Sequence, residues 1–216
     1  MPKLKTPTEA TEIIKRIEAI HGGMIIELNY DTPFQLLIAV ILSAQTTDKQ
    51  VNRITPPLFA RIREPKDVHN ITLEEVMEYV KHVNYYRNKA RFIYETGQIL
   101  EREYGGVIPN DLTEIMKLPG VGVKTAKVVL SVLYDAPLVG VDTHIHRVCN
   151  RIGLVRTKSP NETDKAIERR LTLTQRVGMH HPFVLFGRYH CLARAPKCAS
   201  CPVREFCNYN IKTLQE

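Results

Sequence analysis

The chain has 216 residues, enough to bury one core or two small ones, and 44% of them are hydrophobic. Thirty Lys and Arg against 23 Asp and Glu give a net charge of +7 and a pI near 9.2, a balance that suits a polyanionic partner. The longest apolar run, Leu36 to Leu42, is too short to cross a bilayer, and residues 1–23 hold no signal-peptide core, so a soluble intracellular protein with no membrane partner is expected.

Helical period runs through almost every segment, and no stretch alternates apolar with polar residues long enough to predict a strand, so the expected fold class is all-α. Ile13, Ile14, Ile17 and Ile20 form the apolar stripe of a first helix that Gly22-Gly23 would close. Thr32-Pro33 supplies a cap and an N1 proline for "FQLLIAVILSAQ", which is apolar nearly all round and therefore the predicted central helix. Asp48 is the expected cap of a helix through Val51. Thr72 and Glu75 make a capping box for "LEEVMEYVKHV", and after a short aromatic link "YRNKARFIYETGQILEREY" forms a long amphipathic helix ended by Gly105-Gly106. Asn110 or Asp111 begins a short helix, "LTEIMKL". The stretch "LPGVGVKT" breaks it, and "TAKVVLSVLY", apolar enough to be buried, follows until Asp135-Ala136-Pro137.

That break is not a nucleotide P-loop, because Val123 separates the second glycine from Lys124, the glycines are one residue apart, and the preceding segment is helical. What remains is helix, hairpin, helix. Gly120 and Gly122 permit positive φ and a close backbone approach, and the amides opening the next helix could hold a phosphate without reading a base. A plain helix–helix turn is the competing reading. Lys124 sits in the first turn after it; with a reference pKa of about 10.4, only roughly one lysine in a few thousand is neutral at pH 7, so a nucleophilic role needs burial, a helix N-terminus or a proton acceptor. Asp142 in "GVDTHIHRVCNRIG" precedes a helical pattern and reads as an N-cap with a second oxygen to spare.

Of five cysteines, Cys191, Cys198, Cys201 and Cys207 follow C-x6-C-x2-C-x5-C, a poor framework for secreted disulfides and a good one for a metal. Zinc is the simplest alternative, yet there is only one C-x2-C knuckle, and four thiolates so close in sequence also suit a [4Fe–4S] cube, the preferred reading. Arg188, Arg194, Lys197 and Arg204 could offset its charge or meet phosphates. Cys149 and the pair His180-His181 read as structural.

Together, "LPGVGVKTA", "VDTHIHRVCNR" and the cysteine tail, extended by "LLIAVILSAQTTDKQVN" and "RNKA", resemble the endonuclease III family, the iron–sulfur helix-hairpin-helix DNA glycosylases, over nearly the whole chain. The resemblance implies two lobes, a six-helix barrel over about 26–136 and a cluster domain from 1–25 and 137–216, with DNA entering between them. It implies that Lys124 is a Schiff-base lysine, Asp142 a catalytic aspartate, Gly120 and Gly122 the phosphate-binding turn, and the four cysteines the ligands of one [4Fe–4S] cluster. Gln45 matches the glutamine that fills the gap left by an extruded nucleotide, and Tyr85 the wedge residue, where the family often has leucine. His144 is either a pocket residue or a first-turn helix residue.

The activity so implied is that of a bifunctional glycosylase and abasic-site lyase acting on duplex DNA that holds oxidised or ring-saturated pyrimidines or abasic sites. The expected protein is an intracellular monomer, cytoplasmic or nucleoid-associated if the source is a prokaryote. Two alternatives stand beside it: a monofunctional thymine or adenine mismatch glycosylase, whose members lack the lysine, and a non-catalytic iron–sulfur DNA-binding protein.

Overall fold

A computed structural model describes residues 3–21 and 26–209. Every helix or strand element among them is helical: α1 (Pro7–Ile20), α2 (Pro33–Ser43), α3 (Asp48–Arg61), α4 (Leu73–Val80), α5 (Tyr86–Tyr104), α6 (Leu112–Ile115), α7 (Val123–Tyr134), α8 (Thr143–Ile152), α9 (Pro160–Arg170), α10 (Leu173–Arg176) and α11 (His180–Tyr189), with 3₁₀ segments at Pro65–Asn70 and Arg204–Phe206. Among the described residues no helix is long and apolar enough to cross a membrane. The chain divides into a contiguous unit, Ile26–Tyr134, and a discontinuous one, Met1–Ile25 with Asp135–Glu216.

In the contiguous unit, α2 is central because every residue from Phe34 to Leu42 is buried. Thr32 caps it as expected, its Oγ1 accepting from the Gln35 amide at 3.2 Å. The one polar residue on this buried stretch, Gln35, donates to the carbonyls of Phe59 and Ile62 and accepts from the Asp31 amide, so its burial leaves the amide group satisfied. The next helix departs from expectation: Thr47 is its cap, and it runs past Val51 through Pro56 and Pro57 to Arg61. Two prolines forfeit two intrahelical bonds, but Val51, Ile54, Thr55, Leu58 and Phe59 keep one face buried and carry the helix on. Thr72 and Glu75 form the predicted box, and α5 ends at Gly105 and Gly106, both with positive φ. Gly97 lets α5 lie against the 3₁₀ segment, since a Cβ there would stand 2.4 Å from Val68 Cγ1.

The discontinuous unit gathers α1, α8, α9, α10 and α11 around Ile13, Ile17, Ile145, Cys149, Phe183 and Phe186. Thr6 and Glu9 box the start of α1. Ile20, expected on the buried stripe, is 42% exposed, because the helix ends there; the expected stop, Gly22-Gly23, lies outside the described residues. Cys149 is core, as its pattern predicts, and burial pushes its thiol far up. Both ends of the chain are tied to α8: Lys5 N–H donates to Gly153 O, Asn208 N–H to Arg151 O, and Asn208 Nδ2 to Lys3 O.

Candidate functional site

The hairpin between α6 and α7 is a tight turn in which the Val121 amide donates to Leu118 O at 3.1 Å. Pro119 occupies the second position and Gly120, at φ +76°, the third, the arrangement of a type II turn. A Cβ on Gly120 would also meet Phe92 at 2.6 Å. Gly122 differs from expectation: its φ is not in the left-handed region, and a Cβ would meet nothing within 4 Å. Its carbonyl accepts the first helical bond, from Ala126, and Gly122, Val123 and Lys124 are all exposed. The opening amides of α7 therefore lack intrahelical partners and point out with the positive end of the helix dipole behind them.

Gln45 and Tyr85 are brought together with this turn. Both are exposed and both hold a left-handed backbone, φ +56° and +58°. They line one open cavity of about 630 Å³ with Ala44, Asn88, Lys89 and Gly120. Asn84 Nδ2 donates to Gln45 O at 2.8 Å, which joins the segment before α5 to the turn after α2. Lys89 is the residue that sequence reasoning passed over. It is 4% exposed, and its ammonium donates to Leu42 O, Ala44 O and Thr46 Oγ1. Burial lowers its pKa. The signal was present: Lys89 falls on the buried stripe Lys89, Ile93, Thr96, Leu100 of α5, where a cation without acceptors would be costly.

Asp142 stands on the discontinuous unit as the N-cap of α8; Oδ1 accepts from the Ile145 amide at 2.8 Å, and Oδ2 is the oxygen free of that duty. His144 packs its Cβ against Gly187 and brings Nδ1 to 3.3 Å from Arg147 Nη2. Farther along α8, Arg147 donates to Gly187 O and Cys191 O, and Arg151 to Leu192 O, Ala193 O and, at 3.6 Å, Cys191 Sγ. The cations nearest the start of the cysteine segment thus come from another helix, which spacing in the tail did not reveal. His180 and His181 are buried in α11.

Cys191, Cys198, Cys201 and Cys207 line a single small space beside Arg151 and Lys197. None is in a disulfide. Burial raises the Cys201 thiol to about 11 and pushes Cys198 and Cys207 up as well. Among the described residues no group of three or more His, Cys, Asp or Glu side chains is arranged to hold a single metal ion.

Comparison with known proteins supplies the family. Residues 38–173 match the model of the HhH-GPD superfamily base excision DNA repair proteins. Endonuclease III of Bacillus subtilis is 44% identical over 182 residues, 84% of this chain and 83% of that protein, and endonuclease III of Escherichia coli is 39% identical over 201 residues, 93% and 95%. A solved trapped endonuclease III–DNA covalent intermediate superposes with a TM-score of 0.84 at 40% identity, covering 95% of this chain and 97% of that one. A thermostable thymine-DNA glycosylase shares the fold, with a TM-score of 0.82 at 22% identity and coverage of 94% and 96%. With this extent of likeness, and with the glycine hairpin, the lysine behind it and the four thiols all present, the chain belongs to the endonuclease III family of the HhH-GPD superfamily of base excision DNA repair proteins.

Proposed function

We propose that this protein removes oxidised or ring-saturated pyrimidines from duplex DNA with Lys124 as nucleophile, then cuts the strand 3′ to the abasic site. The observation that carries the reading is the place of Lys124, exposed in the first turn of α7 directly behind the Gly120 turn. A phosphate held by the α7 amides would set a nucleotide's sugar beside an amine that nothing covers. The similar solved complex is a covalent one with DNA, and such a bond requires a nucleophile of this kind.

In this mechanism the damaged nucleotide leaves the stack, and Gln45 and Tyr85 enter the vacancy from their shared cavity rim. The neutral amine of Lys124 attacks C1′; the C1′–N bond to the base breaks and the base departs with its electron pair and gains a proton. Asp142 is given the role of stabilising the positive charge that develops on the sugar or of taking up the proton that the amine loses. The C1′–O4′ bond of the adduct then breaks, O4′ takes a proton as the ring opens, and the iminium so formed acidifies C2′–H. Loss of that proton expels the 3′ phosphate, and water then releases the lysine.

Cys191, Cys198, Cys201 and Cys207 are the residues that would hold a [4Fe–4S] core. All four are cysteines, none is in a disulfide and all line one space, a donor set that suits an iron–sulfur core, whose ligands are thiolates. When bound, the core supplies the positive charge that buried thiolates need. Its role here is to hold the cysteine segment for contact with DNA, with no part in the bond changes.

Borohydride trapping tests the reading. Wild-type protein should become covalently linked to thymine-glycol duplex and cut it without added alkali, and Lys124→Gln should do neither. A Lys124→Gln protein that still traps would remove the lysine from this role. The mismatch-glycosylase alternative rests on shared fold alone, and base loss that needs alkali for strand scission would favour it.

A further inference from the structure

We infer that Lys89 is the positioning residue that holds Gln45 in the attitude needed to enter the duplex where a nucleotide has left. The inference rests on the gap-filling reading of Gln45 and Tyr85 given above and adds the device that makes it work.

An ammonium carries three donors and no acceptor. Lys89 spends all three on the turn after α2, reaching Leu42 O at 2.9 Å, Ala44 O at 2.6 Å and Thr46 Oγ1 at 3.1 Å. The C-terminus of a helix offers unpaired carbonyls at the negative end of its dipole, the natural seat for a buried cation. The three acceptors lie before and after Gln45, so the ammonium grips that residue on both sides. A glutamine in the left-handed region, φ +56°, costs about 1–2 kcal/mol and persists only where its surroundings dictate it. Lys89 provides that constraint from within, and Asn84 Nδ2 provides it at the Gln45 carbonyl.

The second wedge lies one helical turn before the lysine. Tyr85 is the cap of α5, also left-handed, and its carbonyl accepts the first backbone bond of the helix, from the Lys89 amide at 3.1 Å. Tyr85 is 65% exposed, which gives the apolar ring no partner commensurate with its size in the unbound protein. Rigid presentation of both side chains lowers the ordering cost of insertion. Without the clamp, the Gln45 turn relaxes toward ordinary φ and swings the amide away from the stack.

A double-mutant cycle on a duplex holding a tetrahydrofuran abasic analogue tests this, read as the ratio of its affinity to that of undamaged duplex. Gln45→Ala and Lys89→Met should each lower the ratio about tenfold, and the double variant should be no lower than Gln45→Ala, since Lys89 acts through Gln45. Effects that multiply would reduce Lys89 to a helix clamp and overturn the inference, as would a folded Lys89→Met protein with the wild-type ratio. A wild-type ratio in Gln45→Ala alone would instead sink the gap-filling reading beneath it. If Lys89→Met does not fold, Thr46→Val removes one acceptor, keeps the ammonium, and replaces it in the same cycle with the same outcomes.

Discussion

The two units are held by different physics. From Ile26 to Tyr134, cohesion comes from apolar surface: α2 buries Phe34 through Leu42 without interruption, and α3, α5 and α7 close around it. In the discontinuous unit, α1, α8 and α11 share an apolar core, but residues 190–209 contain one 3₁₀ turn as their only helix, Arg204–Phe206. Their backbone is pinned by long side chains instead, Arg147 and Arg151 from α8 and Arg16 from α1, which donates to Pro202 O. Such a segment can be no firmer than what fills the space among its thiols. Lys124, the proposed nucleophile, stands on the contiguous unit, whereas Asp142 stands on α8, whose other turns brace the cysteine segment.

The strongest way to break that contrast is to remove the iron–sulfur cluster proposed for the four cysteines. Oxidative removal of the cluster should cost the discontinuous unit on the order of 10 kcal/mol of ligand-derived stability and leave the contiguous unit folded. Hydrogen exchange reads both at once: amides of residues 190–209 should lose protection, and those of α2 and α5 should keep it. Equal loss in both units would show that the contiguous one has no independent core.

Substitution of the two reacting groups sharpens the contrast next. Lys124→Gln should lower strand cutting by roughly 10⁴-fold or more, with unchanged thermal unfolding because the side chain is exposed. Asp142→Asn should lower base release by about 10²–10⁴-fold. Asparagine caps a helix about as well as aspartate, so the melting temperature should stay within a degree or two and separate the chemistry from the cap. A full-rate Asp142→Asn protein would leave Asp142 as a cap only.

Four helix starts were legible because Thr32, Thr72, Asp111 and Asp142 cap them by local side-chain bonds that sequence spacing encodes. The path of α3 was hidden, since local rules stop a helix at Pro56-Pro57 and only the burial of Leu58 and Phe59 carries it on. Cysteine spacing picked out four thiols that line one space, and Lys197 beside them, but not Arg147 and Arg151, which reach the segment through space. Lys89 was hidden for the same reason: its acceptors lie more than 40 positions earlier in the chain. Spacing in the tail and the turn could therefore give candidate groups, and only the fold gives the side chains that hold them.

The finest test lies within the hairpin, where two glycines two positions apart serve different ends. At Gly120 both constraints are internal, a φ of +76° and Phe92 2.6 Å from where a Cβ would stand. Gly120→Ala should therefore cost about 2–4 kcal/mol of stability, from left-handed strain and overpacking together. At Gly122 neither constraint exists, so Gly122→Ala should cost under about 1 kcal/mol, the penalty for alanine at a helix cap. Its methyl would nevertheless stand at the mouth of the α7 amides, where a phosphate oxygen has to approach within hydrogen-bond distance. Binding of damaged and undamaged duplex should fall alike, by about tenfold, because the lost contact reads no base. Wild-type affinity in Gly122→Ala would mean that the open space beside this glycine serves no phosphate, and that the hairpin is a turn and nothing more.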